Sequence, residues 1–155
     1  MPLPYKVATL LYCFNERDEV LLMERAQEPN LGLWSPCGGK LHTDQGESPY
    51  ACACREAQEE LGVSLSASDL HLTGLVSEHG YQGQGHWLMF LFEVLPRLAR
   101  LPHPRRALRS PLGRPRRSNL RIMRFGTREQ VLSAQFSVLS KRRTSPLLLP
   151  GNTEH

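Results

Sequence analysis

Three glutamates, Glu56, Glu59 and Glu60, are the residues of this chain whose type and spacing most directly suggest chemistry. At about 100° per residue on a helical wheel, they fall within an arc of about 100°. Carboxylates this close repel one another, and only Arg55 offers compensation within the same stretch. Hard oxygen ligands gathered on one face suit Mg²⁺ or Mn²⁺, and a cation would relieve the repulsion. The alternative interpretation is a solvated acidic face that binds nothing.

A helix is predicted to carry these carboxylates. Ser48 is a suitable N-cap, Pro49 suits the first helical position, and Gly62 lies where helices commonly end. An apolar stripe runs beside the carboxylates, so the helix can be buried against a sheet while the acidic groups line its edge. The stripe consists of Tyr50, Ala53, Cys54, Ala57 and Leu61.

Four segments around this helix are predicted to be strands, because each is short, apolar and rich in β-branched or aromatic residues. The second follows a polar turn and completes a hairpin with the first. Strands around a capped helix indicate a mixed α/β or α+β sandwich. The segments are Tyr5–Phe14, Val20–Met23, His71–Ser77 and His86–Val94.

The acidic stretch resembles a known family motif. Glu47, seven further residues and the segment Arg55-Glu-Ala-Gln-Glu-Glu-Leu-Gly-Val63 are similar to the second half of the Nudix box. That half is a glutamate, seven variable positions, Arg-Glu, an aliphatic residue, any residue, Glu-Glu, any residue, glycine and an aliphatic residue. The preceding Gly32-Leu-Trp-Ser-Pro-Cys-Gly-Gly-Lys40 resembles the approach to the box in MutT-like members. The resemblance covers about residues 5–95.

This resemblance implies an α+β fold, a Nudix-type α/β/α sandwich with a mixed β-sheet and a catalytic loop-helix-loop. It implies that Glu56, Glu59 and Glu60 bind Mg²⁺ or Mn²⁺ with help from the main-chain carbonyl of Gly38. Arg55 would orient a neighbouring glutamate.

Further residues of the motif would support the site. Glu47 would hold the loop and Arg55 in place, and Gly39 and Gly62 would shape the loop and the helix end. The general base would be Glu56 or Glu59. Some family members recruit a base from outside the box, and Glu78 and Glu93 are the candidates for that role, although each is more often a surface carboxylate.

One departure from the family pattern concerns the loop. The family usually has five residues between the box glycine and its first glutamate, whereas Gly39 and Glu47 enclose seven. We expect the extra pair to lengthen the loop at 42–45 while the helix keeps its register.

Other residues have more ordinary interpretations beside the functional ones. Trp34 could stack on a base or anchor the core, and Lys40 is a candidate substrate-binding residue. Cys52 falls on the carboxylate arc, but a free cysteine in a helix is usually a small packing residue. His86 and Trp87 begin an apolar strand and could border a substrate cleft.

Charge divides the chain at about residue 104. Residues 1–104 hold 7 Lys and Arg against 13 Asp and Glu, a balance of −6, whereas residues 105–155 hold 12 against 2, a balance of +10. We therefore predict a domain core at 1–104 and a basic Arg-, Pro- and Ser-rich segment at 105–155. A helix is predicted at 127–139, where capping-box spacing precedes a helical apolar face. The rest is expected to be loop or disordered.

The basic segment has several possible origins and roles. Its Arg and Lys clusters could bind nucleic acid, but aromatic residues are not interleaved for stacking, so a solvated tail is favoured. A frameshifted coding sequence would also produce such a change of composition. The clusters are Arg105, Arg106, Arg114, Arg116, Arg117 and Lys141–Arg143.

Composition and cysteine usage indicate a cytoplasmic protein. Hydrophobic residues make up 40% and charged residues 22%, which is typical of soluble globular domains. No signal peptide and no membrane-spanning segment are expected. The four cysteines form no CxxC pair, so free thiols are expected rather than a disulfide framework. A homodimer would be needed to cover the apolar strand at 87–92 if the tail does not.

Two classes of function remain open. The first is a metal-dependent Nudix pyrophosphohydrolase, most like MutT-type enzymes that convert nucleoside triphosphates, including oxidised ones, to monophosphates and pyrophosphate. ADP-ribose, nucleotide sugars, dinucleoside polyphosphates and RNA 5′ ends are alternative substrates. The second class is a Nudix-fold nucleotide- or RNA-binding module with little turnover. The clustered glutamates favour the enzyme.

Overall fold

The computed structural model describes residues 4–25, 31–81, 83, 85–100 and 120–123, together with the backbone of 108–109 and 115–116. The predicted helix at 127–139 and most of the basic clusters lie outside these residues, so both remain predictions.

The sheet has six strands in the described part of the chain. Its main path runs β3-β2-β1-β5-β4, and β8 pairs with β2. The strands are β1 Tyr5–Asn15, β2 Val20–Glu24, β3 Trp34–Ser35, β4 Leu70–Tyr81, β5 Gly85–Leu98 and β8 Leu120–Met123, while β6 Leu108–Arg109 and β7 Pro115–Arg116 form a separate pair. Strands β1 and β5 are parallel and the other pairs are antiparallel, so the mixed sheet expected for an α+β fold is confirmed.

The β1–β2 hairpin forms as predicted. The side-chain carbonyl of Asn15 accepts hydrogen bonds from the main-chain N–H groups of Arg17 and Glu19. Asp18 takes a left-handed conformation with φ of 57°. An Asn that bonds the backbone two residues ahead stabilises a tight turn, which explains why the polar segment reverses the chain.

The helix packs on one face of the central strand β1. It comprises α1 Pro49–Glu56 followed by a π-helical turn Ala57–Leu61. Leu11 and Cys13 of β1 share a buried cluster with Ala53 and Leu61 of the helix. Ala53 and Ala57 are fully buried, so the small side chains of the predicted stripe do allow a close approach. Tyr50 remains 38% exposed, although its ring contacts that of Phe92 edge-on at 4.7 Å.

Capping residues bound the helix where the sequence predicts. The Ser48 hydroxyl accepts a hydrogen bond from the Ala51 N–H at 3.1 Å. Gly62 takes the left-handed conformation with φ of 70° and ends the helix. The wheel assumed an α-helix throughout, and this assumption is wrong for the last turn. A π turn is wider than an α turn, so it changes the directions of Glu59 and Glu60.

Strand β8 was not anticipated. The domain division predicted no regular structure between 105 and 126, yet Leu120–Met123 pairs antiparallel with β2. Leu120 and Ile122 pack against the core. This strand therefore depends on contacts with residues that are distant in the sequence. The short β6–β7 pair also lies in the segment that was expected to be loop.

The apolar strand β5 lies inside the sheet between β1 and β4. Met89, Leu91 and Phe92 are buried, whereas Trp87, Leu88 and Phe90 are half-buried, so the homodimer stays a prediction. All four cysteines are free thiols, and Cys13, Cys37 and Cys52 are buried. No helix among the described residues has the length and hydropathy to cross a bilayer.

Candidate metal and catalytic site

The loop that precedes the helix is attached to the edge of β1 by main-chain hydrogen bonds. The Thr9 N–H donates to the Gly39 carbonyl at 2.9 Å, and the Leu11 N–H donates to the Cys37 carbonyl at 2.8 Å. The glycine-rich segment therefore runs beside β1 like a short additional strand. This attachment places Gly38 and Gly39 directly against the helix that β1 supports.

Gly38 and Gly39 both lie so close to neighbouring atoms that a side chain would not fit. A Cβ on Gly38, whose φ is 150°, would lie 2.1 Å from the Thr9 carbonyl oxygen. A Cβ on Gly39 would lie 2.1 Å from Oε1 of Glu56. Side chains at these positions would collide with the strand or with the carboxylate, so only glycine lets the loop lie between them.

The lengthened loop is accommodated by a 3₁₀ turn at Thr43–Gln45. The turn lies inside the interval predicted to absorb the two extra residues. The Glu47 carboxylate accepts a hydrogen bond from the His42 N–H at 2.8 Å, and the Glu47 N–H donates to the His42 carbonyl at 3.2 Å. The extra residues therefore form a closed turn, and Glu47 remains at the start of the helix.

Arg55 connects the loop to the helix. Its Nε and Nη2 donate to the two carboxylate oxygens of Glu47 at 2.7 and 3.0 Å. Its Nη1 donates to Oε1 of Glu56 at 2.6 Å, and Nη2 also reaches the Lys40 carbonyl at 3.1 Å. The bidentate contact lowers the pKa of Glu47 to about 2 and, together with Glu56, raises that of Arg55. Glu47 and Arg55 are therefore both charged at neutral pH. The Arg55 guanidinium binds Glu47 and Glu56 at the same time.

Glu60 faces the other side of the loop. Its Oε2 accepts a hydrogen bond from the Gly38 N–H at 3.1 Å. The buried Cys37 thiol beside it donates a hydrogen bond to the main-chain carbonyl of Glu56 at 3.8 Å. Burial raises the pKa of Glu60, and the nearby Glu56 carboxylate raises it further, since two carboxylates share this partly buried space.

The described residues contain no group of three or more acidic, histidine or cysteine side chains that are already close enough to hold a metal ion. Glu56 is turned to Arg55 and Glu60 to Gly38, while the Glu59 side chain is 39% exposed and lies 3.7 Å from Arg55. The donor chemistry nevertheless fits a hard divalent cation. Glu56 and Glu60 repel each other beside the loop, and Glu59 adds a third carboxylate on the same helix.

Trp34 lies on strand β3 of the sheet, whereas Arg55 lies on the helix. It is half-buried on β3, and the Arg121 guanidinium of β8 lies 5.1 Å from its ring centre. A cavity of about 510 Å³ borders Trp34, and the described residues that line it also include Glu24 and Leu120. Trp34 is therefore neither a fully buried core anchor nor a freely exposed stacking surface.

Cys52 packs under the loop. Its thiol lies 3.4 Å from the Thr9 hydroxyl and 3.7 Å from the Gly39 carbonyl, and the side chain is fully buried. Burial raises its pKa to about 11, so the thiol is neutral. The interpretation of Cys52 as a packing residue is confirmed.

The two alternative bases lie on different strands. Glu93 is buried on β5, with Nη1 of Arg97 3.9 Å from its carboxylate. Glu78 on β4 is half-buried, and burial raises its pKa. The hydrogen bonds that join Glu47, Arg55, Glu56 and Glu60 to the loop, as described above, involve neither of these two glutamates.

Two contacts of the site were not anticipated from sequence. The Cys37 thiol reaches the main-chain carbonyl of Glu56, and the Thr9 hydroxyl reaches Cys52. The position of Cys37 immediately before the two glycines was a usable signal for the first contact. Thr9 gave no such signal, because its role depends on which residue of β1 lies under the helix.

Comparison with known proteins identifies the family that this chain belongs to. An isopentenyl-diphosphate Δ-isomerase of Streptomyces avermitilis is 42% identical over 59 residues, which are 36% of this chain but only 29% of the isomerase. Among solved structures, the MutT protein of Methanosarcina mazei has a TM-score of 0.65 at 20% identity and covers 92% of this chain and 94% of its own.

A second structure is a bifunctional NMN adenylyltransferase/ADP ribose pyrophosphatase of Francisella tularensis, solved with AMP and a manganese ion. It has a TM-score of 0.58 at 16% identity and covers 90% of this chain and 42% of its own. At these identities the structural likeness shows the fold. A family model described as NUDIX domain matches residues 4–109, which is more than half of the chain. On that match, and with the loop and helix arranged as described, the chain belongs to the Nudix domain family.

Proposed function

We propose that this chain hydrolyses a phosphoanhydride bond in a nucleoside diphosphate-linked substrate, using divalent cations held by Glu56, Glu59 and Glu60 with the Gly38 carbonyl. The supporting observation is the Arg55 clamp, which holds Glu47 at 2.7 Å and Glu56 at 2.6 Å on opposite sides of one guanidinium. The helix that Arg55 belongs to carries three clustered carboxylates, Glu56, Glu59 and Glu60, and a module that only binds has no physical need for them. The arrangement therefore favours a catalytic role.

The residues have separate tasks in this proposal. Glu47 and Arg55 keep the loop closed on the helix, and Arg55 aims Glu56 at the loop. Glu56 or Glu59 takes the proton of the attacking water. When bound, Mg²⁺ or Mn²⁺ would polarise the phosphoryl oxygens and lower the pKa of that water. Burial beside the loop excludes solvent from the inner carboxylates and strengthens their electrostatic interactions.

The first candidate substrate is a nucleoside triphosphate, including oxidised forms, cleaved to a monophosphate and pyrophosphate. The likeness to the Methanosarcina MutT protein over most of both chains supports this choice. The second candidate is ADP-ribose, which the Francisella pyrophosphatase supports. We place the reaction in the cytoplasm, where the four free cysteines fit a reducing compartment.

The test is turnover against a substrate panel. dGTP, 8-oxo-dGTP, ADP-ribose, a nucleotide sugar and a dinucleoside polyphosphate are incubated with Mg²⁺, with Mn²⁺ or with chelator. Nucleotide products are separated by chromatography. The variants Glu59→Gln and Glu60→Gln are compared with Glu16→Gln, which changes an exposed carboxylate in the β1–β2 turn.

We expect turnover only with metal, and a loss of about 100-fold or more in the two helix variants but none in the control. Folded protein without turnover on every substrate would overturn the proposal. Equal losses in the Glu16→Gln control would do the same, because they would reflect a general effect of removing charge.

A further inference from the structure

The thiol of Cys52 joins three separate pieces of the candidate site. Its Sγ lies 3.4 Å from the Thr9 hydroxyl of β1, 3.7 Å from the Gly39 carbonyl of the loop and 3.4 Å from Nη2 of Arg55 on the helix. Cys52 and Thr9 are both fully buried. A buried polar group keeps its protein partners because water does not reach it to replace them. The three contacts therefore form a fixed junction under the loop.

The chemistry of the partners fixes the direction of each hydrogen bond at this junction. A guanidinium only donates and a carbonyl oxygen only accepts, so Arg55 donates to the sulfur and the thiol donates to Gly39. A thiol carries a single proton, and the bond to Gly39 uses it. The Thr9 hydroxyl therefore donates its own proton to the sulfur. The sulfur thus accepts two hydrogen bonds and gives one.

The thiol binds Arg55 without competing for its charge. Burial raises the pKa of Cys52 to about 11, so the group is neutral at neutral pH. A thiolate at this position would draw the guanidinium away from the carboxylates of Glu47 and Glu56, whereas a neutral sulfur accepts only a weak hydrogen bond. Nη2 also donates to Glu47 and to the Lys40 carbonyl. Its two N–H groups therefore serve three acceptors, so one hydrogen is shared between two of them.

The planar guanidinium of Arg55 carries this restraint to Glu56. Its Nε and Nη2 form the edge that Glu47 and Cys52 hold. Because the three guanidinium nitrogens lie in one rigid plane, fixing this edge also fixes the direction of Nη1. Nη1 donates to Oε1 of Glu56 at 2.6 Å. The orientation of this carboxylate therefore depends on contacts that begin at Thr9 on β1.

We propose that Thr9 and Cys52 are positioning residues, which hold the Arg55 guanidinium in the orientation that aims Glu56 at the loop. The consequence for catalysis rests on the proposed function, whereas the orientation of Arg55 does not. Within Thr9, the hydroxyl supplies the hydrogen bond and the methyl group only fills space. Cys52 has this second task in addition to packing under the loop.

The first test measures the restraint on Arg55 in metal-free protein. The Nε–H signal of Arg55, identified by its loss in Arg55→Lys, is followed by NMR with chelator present, and its exchange with water is measured. Thr9→Val keeps the shape of the side chain and removes the hydroxyl, so we expect exchange that is faster by about fivefold or more. Thr9→Ser keeps the hydroxyl and removes the methyl group, so its exchange should stay within about twofold of the wild type.

A second pair of variants removes the sulfur itself. Cys52→Ala should also raise the exchange rate of the Arg55 Nε–H by about fivefold or more. Cys54→Ala is the matched control, because it makes the same change on the same helix where the side chain packs against the hydrophobic cluster, and it should leave the exchange unchanged. Thermal unfolding of each variant confirms that the spectra are taken on folded protein.

Two outcomes of the exchange measurement would overturn the proposal. The first is an unchanged exchange rate in Cys52→Ala or in folded Thr9→Val. The second is an equal rise in Thr9→Val and Thr9→Ser, or in Cys52→Ala and Cys54→Ala, because lost packing alone would then explain the effect. If Thr9→Val does not fold, the comparison of Cys52→Ala with Cys54→Ala decides in the same way.

The kinetic test separates turnover from substrate binding. With the nucleotide that the substrate panel identifies, Thr9→Val and Cys52→Ala should lower kcat about tenfold while KM changes by less than about twofold, because Glu56 acts in the reaction step. Thr9→Ser should restore the wild-type kcat. A rise in KM at unchanged kcat would contradict the positioning role. If the wild type turns over no nucleotide, the proposed function fails, and the exchange measurement still decides whether Thr9 and Cys52 position Arg55.

Discussion

Nε of Arg55 lies 2.7 Å from Oε1 of Glu47, and this contact joins the start of the loop–helix motif to its middle across eight residues. The glutamate side chain is 12% exposed and the arginine 22%, so water screens the pair only in part. The same guanidinium also holds Glu56. Removing Glu47 therefore affects both the stability of the loop and the position of a candidate metal ligand.

We predict that Glu47→Gln lowers the free energy of unfolding by about 1–3 kcal/mol at pH 7, because charge-assisted hydrogen bonds to Arg55 and His42 are weakened. Urea denaturation with chelator present measures this change without any contribution from bound metal. Glu16→Gln serves as the control, and its free energy of unfolding should stay within about 0.5 kcal/mol of the wild type. An unchanged Glu47→Gln variant would contradict a structural role for the pair.

The same pair predicts a pH dependence. The pKa of Glu47 is lowered from its ordinary value of 4.5 to about 2 by the hydrogen bonds from Arg55. A lowered folded-state pKa stabilises the fold above the unfolded value and loses that contribution as pH falls. The difference in unfolding free energy between wild type and Glu47→Gln should therefore be full above about pH 5. It should shrink between pH 4.5 and 2, and a difference independent of pH would contradict the assignment.

Gly39→Ala tests the close contact between loop and helix. The added Cβ would lie 2.1 Å from Oε1 of Glu56, so the carboxylate or the loop must move. We expect a loss of about 1–3 kcal/mol in unfolding free energy and at least a tenfold loss of turnover. Gly74→Ala is the matched control, because its Cβ would meet only Leu91 Cδ1 at 3.8 Å. A fully active Gly39→Ala variant would exclude this contact.

Tyr12→Phe tests the role of a buried hydroxyl on strand β1. Tyr12 is 3% exposed, and its buried hydroxyl has no hydrogen-bonding partner among the residues that the structure describes. Removing that oxygen should leave the free energy of unfolding unchanged or raise it by up to about 1 kcal/mol. Tyr12→Ala, which removes the ring as well, should lower it by about 3–5 kcal/mol in the same thermal-unfolding measurement. A loss above 1 kcal/mol in Tyr12→Phe would reveal a partner for the hydroxyl.

Local features of the sequence determined the helix and its chemistry. Ser48 and Gly62 bound the helix because N-caps and left-handed glycines act over one turn, independently of the rest of the chain. The spacing of Arg55 from Glu47 carried the family resemblance, since both lie within one loop–helix segment. The apolar runs likewise predicted β1, β2, β4 and β5, because burial in a sheet requires them to be short and hydrophobic.

Only the tertiary structure decided how these pieces meet. The parallel pairing of β1 with β5 brings Lys6 beside Trp87, although 81 positions separate them in the sequence. Strand β8 pairs with β2, and its Leu120 and Ile122 pack against the core. The local sequence of this basic segment does not indicate that packing. The π turn sets the directions of Glu59 and Glu60 in the same way. Pairing partners and side-chain directions depend on contacts between distant residues, whereas caps, turns and charge clusters are properties of neighbours in the chain.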